Sequence, residues 1–230
     1  CGDARESVAS LLGILDGYRG GSGGVTRVAQ TRTAISEERH WNQDIQALFD
    51  LLHSTLPGLC LVGDSTLPTY YAVWQYECSA PRRYFHSATG GGTLGYAIPA
   101  AIGAKRALAD QPVVALIGDG AAQFTFMELA SAVQESLPII VLLWNNNGYS
   151  EIRDGMVASD VAPIGVDIDA PDFLAAASAL GCLSACPKDL DALREALREA
   201  AGQSIPTLIE LRQENFISLP AGGWYPGEDA

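Results

Sequence analysis

The 230-residue sequence predicts an α/β protein: an open, mostly parallel sheet with helices on both faces. Three observations predict it. Short apolar runs alternate with longer segments of helical period, the order of repeated βαβ units. The runs "PVVALIGDG" (112–120) and "PIIVLLWNNN" (138–147) are almost continuously apolar before their polar ends, as strands covered on both faces must be. Four polar clusters follow apolar runs: Gly63–Thr66, Thr89–Gly92, Gly118–Gly120 and Asn145–Gly148. Parallel strands joined by helical crossovers bring such ends to one edge of the sheet, where ligands bind.

The elements follow in order. "CGDARESVASLLGILDGYRGG" predicts a short helix that Asp3 can cap, with Leu11, Leu12 and Leu15 on one side. No strand precedes Cys1, so residues 1–17 are expected to be the tail of a preceding domain. Residues 18–40 combine a Gly/Ser cluster with a polar, charged segment and are expected to be a linker. A compact unit spans 41–213. It starts with the amphipathic helix "IQALFDLLHSTL", then the buried strand "LCLVGD" (59–64) and a shorter strand, "RRYFHS" (82–87). "TLGYAIPAAIGAKRAL" is helical, with Pro99 expected to break or kink it. "FTFMELASAVQESL" is a helix between the two long apolar strands. "APDFLAAASAL" and "DLDALREALREAA" are helices, and "PTLIELR" is the last strand. Residues 214–230 form a C-terminal tail. Its Trp224 and Tyr225 are expected to pack on a neighbour or stay loosely ordered rather than close a site.

Composition narrows the function. A formal net charge of -13 argues against a nucleic-acid partner. There is no secretory leader pattern and no run of 18 apolar residues, so neither secretion nor membrane spanning is expected, and the location expected is cytoplasmic. The five cysteines are scattered and odd in number, which fits buried thiols in a reducing compartment.

The chemistry sits in two corners. Asp119 stands between Gly118 and Gly120, where a strand meets a helix. The backbone N–H groups of Gly120 and Ala121 are unobstructed there and suit a phosphate. The Asp119 carboxylate would repel that phosphate unless a cation lay between them. The next corner, Asn145–Gly148, offers side-chain and backbone oxygens. Such hard oxygen ligands suit Mg²⁺, which shares its shell with substrate phosphates. Together the corners predict a metal-bridged diphosphate, although either alone would read as a tight turn. The segment lacks the Gly-Lys-Ser/Thr of a P-loop, and "GGGTLG" lacks the acidic residue that a dinucleotide fold sets on the ribose.

"GDG" at 118–120, the 24 residues 121–144 and then Asn145–Asn146 resemble the thiamine diphosphate signature. "GGGTLGYAIPAAIGAKRAL" is similar to the acetolactate synthase, pyruvate decarboxylase and benzoylformate decarboxylase group. The resemblance covers residues 41–213, the diphosphate-binding third of those enzymes. It implies thiamine diphosphate and Mg²⁺ as cofactors. Asp119, Asn146 and the Gly148 carbonyl would be the metal ligands. Gly118, Gly120 and Ala121, with Tyr149 and Ser150, would line the diphosphate. Leu94 would be the bulky residue under the thiazolium that folds the cofactor into a V, bringing its amino nitrogen beside the reactive carbon. The Gly92 carbonyl would accept from the aminopyrimidine, and Ser65 and Thr66 would lie near the pyrimidine or the diphosphate. The glutamate that activates the pyrimidine belongs to a first domain in this family. That domain is expected from the same longer chain or from a partner, in a homodimer or homotetramer.

For the substrate, Glu151 follows the metal corner where apolar residues are usual in the decarboxylases. A carboxylate there favours a cationic tail such as guanidinium, unless it pairs with Arg153, Arg82 or Arg83. The stretch "NNNGYSEIRDGMVASDVAPIGVDIDAPDF" resembles 5-guanidino-2-oxopentanoate decarboxylases. The alternatives are an acetolactate synthase-type carboligase and a non-catalytic diphosphate-binding subunit. No tryptophan lies between Trp144 and Trp224 to grip a second substrate, which weighs against the first, and intact metal-ligand positions weigh against the second. His86 precedes the glycine corner but reads as structural, and His40 and His53 have no assigned role.

Overall fold

A computed structural model describes residues 3–21, 23–37, 41–88 and 91–218. Trp224, Tyr225, Thr89, Gly90 and His40 lie outside the described residues. The chain divides into two compact units, residues 1–41 and 42–230.

In the first unit, α1 (Ala4–Ile14) begins where the Asp3 carboxylate accepts from the N–H groups of Arg5 and Glu6, at 2.9 and 3.1 Å. This is the cap the sequence predicts. Residues expected as linker contain a second helix, α2 (Gly24–Glu37). Neither helix buries a residue, and Leu11, Leu12 and Leu15 are exposed.

The second unit opens with α3 (Gln43–Thr55), capped by the Asn42 side chain. Then come β1 (Cys60–Gly63), α4 (Leu67–Gln75), β2 (Tyr84–His86), α5 (Ala97–Ala107) and β3 (Val113–Gly118). α6 (Asp119–Thr125) and α7 (Leu129–Gln134), joined by a 3₁₀ turn, lead to β4 (Ile140–Asn145). The remainder is α8 (Ser150–Ala158), α9 (Phe173–Ala179), β5 (Leu183–Ala185), α10 (Leu190–Ala201) and β6 (Thr207–Arg212). α5 runs unbroken through Pro99, because Pro99 falls in the first turn, where a helical N–H has no intrahelical partner. α4 and β5 do not stand out in the sequence. α4 buries Leu67, Thr69, Tyr71, Ala72 and Gln75 and so lacks a clean apolar stripe, and β5 is a half-exposed strand of three residues.

The six strands lie in the order β2-β1-β3-β4-β6-β5, every pairing parallel. Alternate side chains feed two cores, one on each face. Leu61, Leu116, Leu142, Trp144 and Leu211 pack with α3, α4 and α10. Val62, Ala115, Ile117, Val141 and Leu143 pack with α5, α6 and α9. This is the α/β open sheet the sequence predicts. From β1 the chain crosses outward to β2, whereas β3 leads on to β4 in the opposite direction. The ends of β1 and β3 therefore flank a topological switch point, the place where open sheets leave a crevice.

Candidate functional site

Both strands at the switch point end in a glycine followed by a buried aspartate. After β1, Asp64 is 0% exposed. Its Oδ1 accepts from the N–H groups of Ser65 (2.9 Å) and Gly95 (3.2 Å), and its Oδ2 from Ala97 (2.8 Å). Burial pushes its carboxyl above the usual carboxylate range, and the backbone N–H groups pull against that. Asp64 thus ties the β1 end to the loop that enters α5.

After β3, Asp119 is 1% exposed and opens α6. Its Oδ2 accepts from the Gly148 N–H at 2.9 Å, joining the β3 corner to the asparagine corner. Burial raises this carboxyl as well, opposed most by the N–H groups of Gly120 and Gly148. Asn145 turns away from the cleft: its amide donates to the buried Glu210 carboxylate at 2.7 Å and its oxygen accepts from the Asn147 N–H at 3.1 Å. Asn146 does the reverse. Its amide nitrogen is 3.4 Å from Gln213 Oε1, which also accepts from Trp144 Nε1 at 2.8 Å, while its own Oδ1 is buried with no hydrogen-bond partner.

The chain bends sharply here. Asn147 has φ 59°, and Gly148 has φ 155°, with any Cβ at 148 falling 2.5 Å from the Val166 carbonyl oxygen. Only glycine fits. A Cβ on Gly120 would lie 2.5 Å from the Tyr149 ring, so that ring rests on bare backbone.

α8 follows at once and carries Glu151 in its first turn. Burial, and then the charge of Asp154, push the Glu151 carboxyl up to about 7. Its Oε2 is buried without a hydrogen-bond partner. Arg153, the nearest candidate for neutralising it, instead pairs with Asp167. Among the described residues Glu151 has no ion-pair partner.

These parts meet in one cleft of about 80 Å³. It is lined by Ser65, Thr66, Leu94, Gly118, Asp119, Gly120, Ala121, Asn146, Gly148, Tyr149, Ser150 and Glu151. Every candidate site residue of the sequence therefore faces one space, except Gly92, which stands at the exposed rim of the loop with φ 58°. Leu67, Tyr70 and Ile152 also line the cleft. Sequence reasoning missed Leu67 and Tyr70 because α4 was not recognised as a helix leaving the β1 corner, and Ile152 because it stands beside Glu151 on α8 as an ordinary apolar residue. It also missed Gln213, which orients Asn146 from the far end of β6, since no local pattern links residues 67 positions apart. His86 is not in the cleft; its ring stacks on Tyr84, 4.9 Å between centroids.

A larger cavity, about 410 Å³, lies on the other side of the asparagine corner, with Asn145, Asp172, Glu210 and Arg212 in its walls. Size favours it, but it contains neither Asp119 nor the bare glycine backbone, so the smaller cleft is the better candidate.

The cleft's donor set fits a hard divalent cation. One carboxylate, an amide oxygen left without a partner and a main-chain carbonyl make half of an oxygen shell, with the rest open to phosphate and water. No cluster of three His, Cys, Asp or Glu exists among the described residues, and Mg²⁺ requires none.

A parallel α/β sheet with an oxygen-rich cleft at its switch point defines the class, and the family comparison agrees. The thiamine pyrophosphate enzyme family, in its C-terminal TPP-binding domain, matches residues 62–211, and the chain belongs to it. The chain is similar to a probable 2-ketoarginine decarboxylase of Pseudomonas aeruginosa, 41% identical over 92% of this chain and 38% of the relative. It is also similar to the benzoylformate decarboxylase of that organism, 32% identical over 72% of this chain and 31% of the relative. Among solved structures, the thiamine diphosphate-dependent 4-hydroxybenzoylformate decarboxylase of Rhodococcus jostii RHA1 superposes with a TM-score of 0.67 at 29% identity, over 74% of this chain and 32% of that one. The chain thus spans less than two fifths of the length of these relatives. Among the described residues, no helix is long and apolar enough to cross a membrane.

Proposed function

We propose that this chain forms the diphosphate- and metal-binding half of a thiamine diphosphate- and Mg²⁺-dependent decarboxylase of 2-oxo acids. The observation that carries the reading is the orphaned Asn146 Oδ1, buried in the same cleft wall as the Asp119 carboxylate. A buried amide oxygen without a partner is costly, and a cation removes that cost. Asp119, Asn146 Oδ1 and the Gly148 carbonyl would hold Mg²⁺. The backbone at Gly118, Gly120 and Ala121, with Tyr149 and Ser150, would hold the diphosphate. Leu94 would stand beneath the thiazolium and keep the two rings of the cofactor folded together. The Gly92 carbonyl would accept from the aminopyrimidine, with Ser65 and Thr66 close by. When bound, the cofactor supplies the electron sink that lets a 2-oxo acid lose carbon dioxide.

The cleft's about 80 Å³ is far short of the ~300–1,000 Å³ usual for a pocket that encloses a ligand this size. The missing walls would come from a pyrimidine-binding domain, in the same longer chain or in a partner, within a homodimer or homotetramer. The substrate we favour is 5-guanidino-2-oxopentanoate. Two observations support it: an unpaired Glu151 carboxylate in the cleft wall, and the similarity to a relative named for 2-ketoarginine. Calorimetry tests the cofactor reading. In the complete native assembly, thiamine diphosphate should bind only with Mg²⁺ present, and equal affinity in chelator would overturn it.

A further inference from the structure

The loop that carries Leu94 is held more firmly than its composition requires. It runs Gly91-Gly92-Thr93-Leu94-Gly95, with Gly92 at φ 58° and Gly95 at φ 82°. Left to itself such a segment would sample many conformations, because glycine restrains the backbone least. Here the backbone on both sides of Leu94 is gripped by side chains from three separate elements. The Ser87 hydroxyl, just past β2, donates to the Thr93 carbonyl at 2.7 Å. The Asp64 carboxylate, just past β1, accepts from the Gly95 N–H and again from the Ala97 N–H. The Thr125 hydroxyl, the last residue of α6, donates to the Gly95 carbonyl at 2.9 Å. A Cβ at Gly95 would meet Phe124 Cβ at 2.9 Å, so the loop is also pressed against the end of α6.

We propose that Asp64, Ser87 and Thr125 are positioning residues that together fix the height at which Leu94 projects into the cleft. The proposal rests on the cofactor reading above. Its physical reason is that a side chain acting as a wedge must not yield. A wedge on a soft loop would move aside, and the bound molecule would relax to its preferred shape. Three clamps from three elements tie the wedge to both walls of the switch point, β1 on one side and α6 on the other. α6 is also the helix that opens with Asp119, so wedge and metal corner share one rigid element. A structural explanation alone is less economical. Asp64 could be replaced by a local Ser or Thr cap on α5, yet the chain buries a full carboxylate to reach 31 residues along to Gly95.

The test separates wedge placement from binding and from folding. In the complete native enzyme, Thr125→Val removes one clamp and keeps the side-chain shape, and Thr125→Ser restores the hydroxyl. Asp64→Asn and Ser87→Ala test the other two. The expected result is a fall in kcat of roughly 10-fold for Thr125→Val, and more for Asp64→Asn, as displacement of a reacting geometry by a fraction of an ångström produces. The Kd for thiamine diphosphate with Mg²⁺ and the KM for the 2-oxo acid should stay within about 2-fold, and Thr125→Ser should recover kcat. Hydrogen exchange of the Gly95 and Ala97 amides in the cofactor-free protein should speed up in Asp64→Asn, a readout independent of turnover. Unchanged kcat in variants that fold and bind normally would overturn the clamps while leaving the cofactor reading intact. So would losses in kcat and cofactor affinity that run in parallel, or a serine variant as impaired as valine. A wild type that binds no thiamine diphosphate would overturn both.

Discussion

Asp64 and Asp119 are a controlled comparison inside one molecule. Each follows the last glycine of a parallel strand, in "GDS" and "GDG", and the two strands are neighbours in the sheet. Both carboxylates are buried, and burial raises both. They differ in what is left over. Asp64 spends both oxygens on three backbone N–H groups. Asp119 makes one close bond of that kind, to the Gly148 N–H, with further support from the Gly120 N–H, and faces a cleft that also holds an amide oxygen with no partner. The lesson is that a buried aspartate at a strand end is not in itself a site. Unused acceptor capacity beside other unused acceptors is what marks one, because a cation satisfies several acceptors at once.

The sharpest way to break the comparison is to remove each carboxylate and weigh the cofactor. Asp119→Ala should abolish thiamine diphosphate binding in the complete assembly, since the phosphate charges lose part of their metal bridge. Asp64→Asn should leave that affinity nearly intact. Calorimetry with Mg²⁺ reads both, and equal losses would mean that the two aspartates do the same work.

Glu151 extends the comparison to a third carboxylate, one whose buried Oε2 has no hydrogen-bond partner and which has no ion-pair partner among the described residues. Glu151→Gln should lower kcat/KM for a guanidino 2-oxo acid by roughly 10- to 100-fold, the equivalent of losing one charged hydrogen bond of ~1.5–3 kcal/mol. A neutral 2-oxo acid of similar length should be spared or improved. Similar losses on both substrates would assign Glu151 to the fold or the cofactor rather than to the tail.

Stability should reverse the ranking of the first pair. Asp64→Ala strands buried N–H groups of Gly95 and Ala97, at about 1–3 kcal/mol for each group left unsatisfied. Asp119→Ala strands the Gly148 N–H alone among the close bonds, and relief of a raised carboxyl accompanies both variants, so its cost in the cofactor-free protein should be smaller by the difference in stranded groups. Urea denaturation orders the two, and the opposite order would remove the structural role given to Asp64.

How far the sequence announced all this depends on how local each signal is. The sheet was legible because β3 and β4 are unbroken apolar runs and their polar ends are short and dense. The cleft was legible for a related reason, since its candidate residues all lie on the short segments that follow a strand end. α4 was not, being apolar on several sides, and α2 hid in a segment whose glycines and charges suggested a linker. The clamps on Leu94 could not be read at all. Asp64, Ser87 and Thr125 meet a single loop from sequence distances of 31, 6 and 30 residues, and each looks like an ordinary polar residue where it stands. The partnerless state of Asn146 Oδ1 and Glu151 Oε2 is likewise a property of three-dimensional surroundings.

The smallest effect expected is on pH dependence, and its sign follows from burial. Glu151 titrates near 4.5 when unfolded and is pushed up to about 7 in the fold, first by burial and then by Asp154. The folded form therefore holds its proton over a range where the unfolded form has released it. Between those two values stability falls as pH rises, and it levels off above the folded value. Asp64 and Asp119, also raised, act in the same sense from lower pH. The cofactor-free protein should thus melt a few degrees lower at about pH 8 than at about pH 5.5. Glu151→Gln should flatten the part of that slope nearest neutrality. A guanidinium-tailed ligand acts oppositely, because it favours the ionised carboxylate: its affinity should rise through neutral pH and its binding should release a proton. Calorimetry in two buffers of different ionisation enthalpy detects that proton. A neutral ligand of the same length should release none. If both ligands released the same number of protons, the ionisation being sensed would lie elsewhere in the cleft, and Glu151 would join Asp64 as a carboxylate that serves the fold.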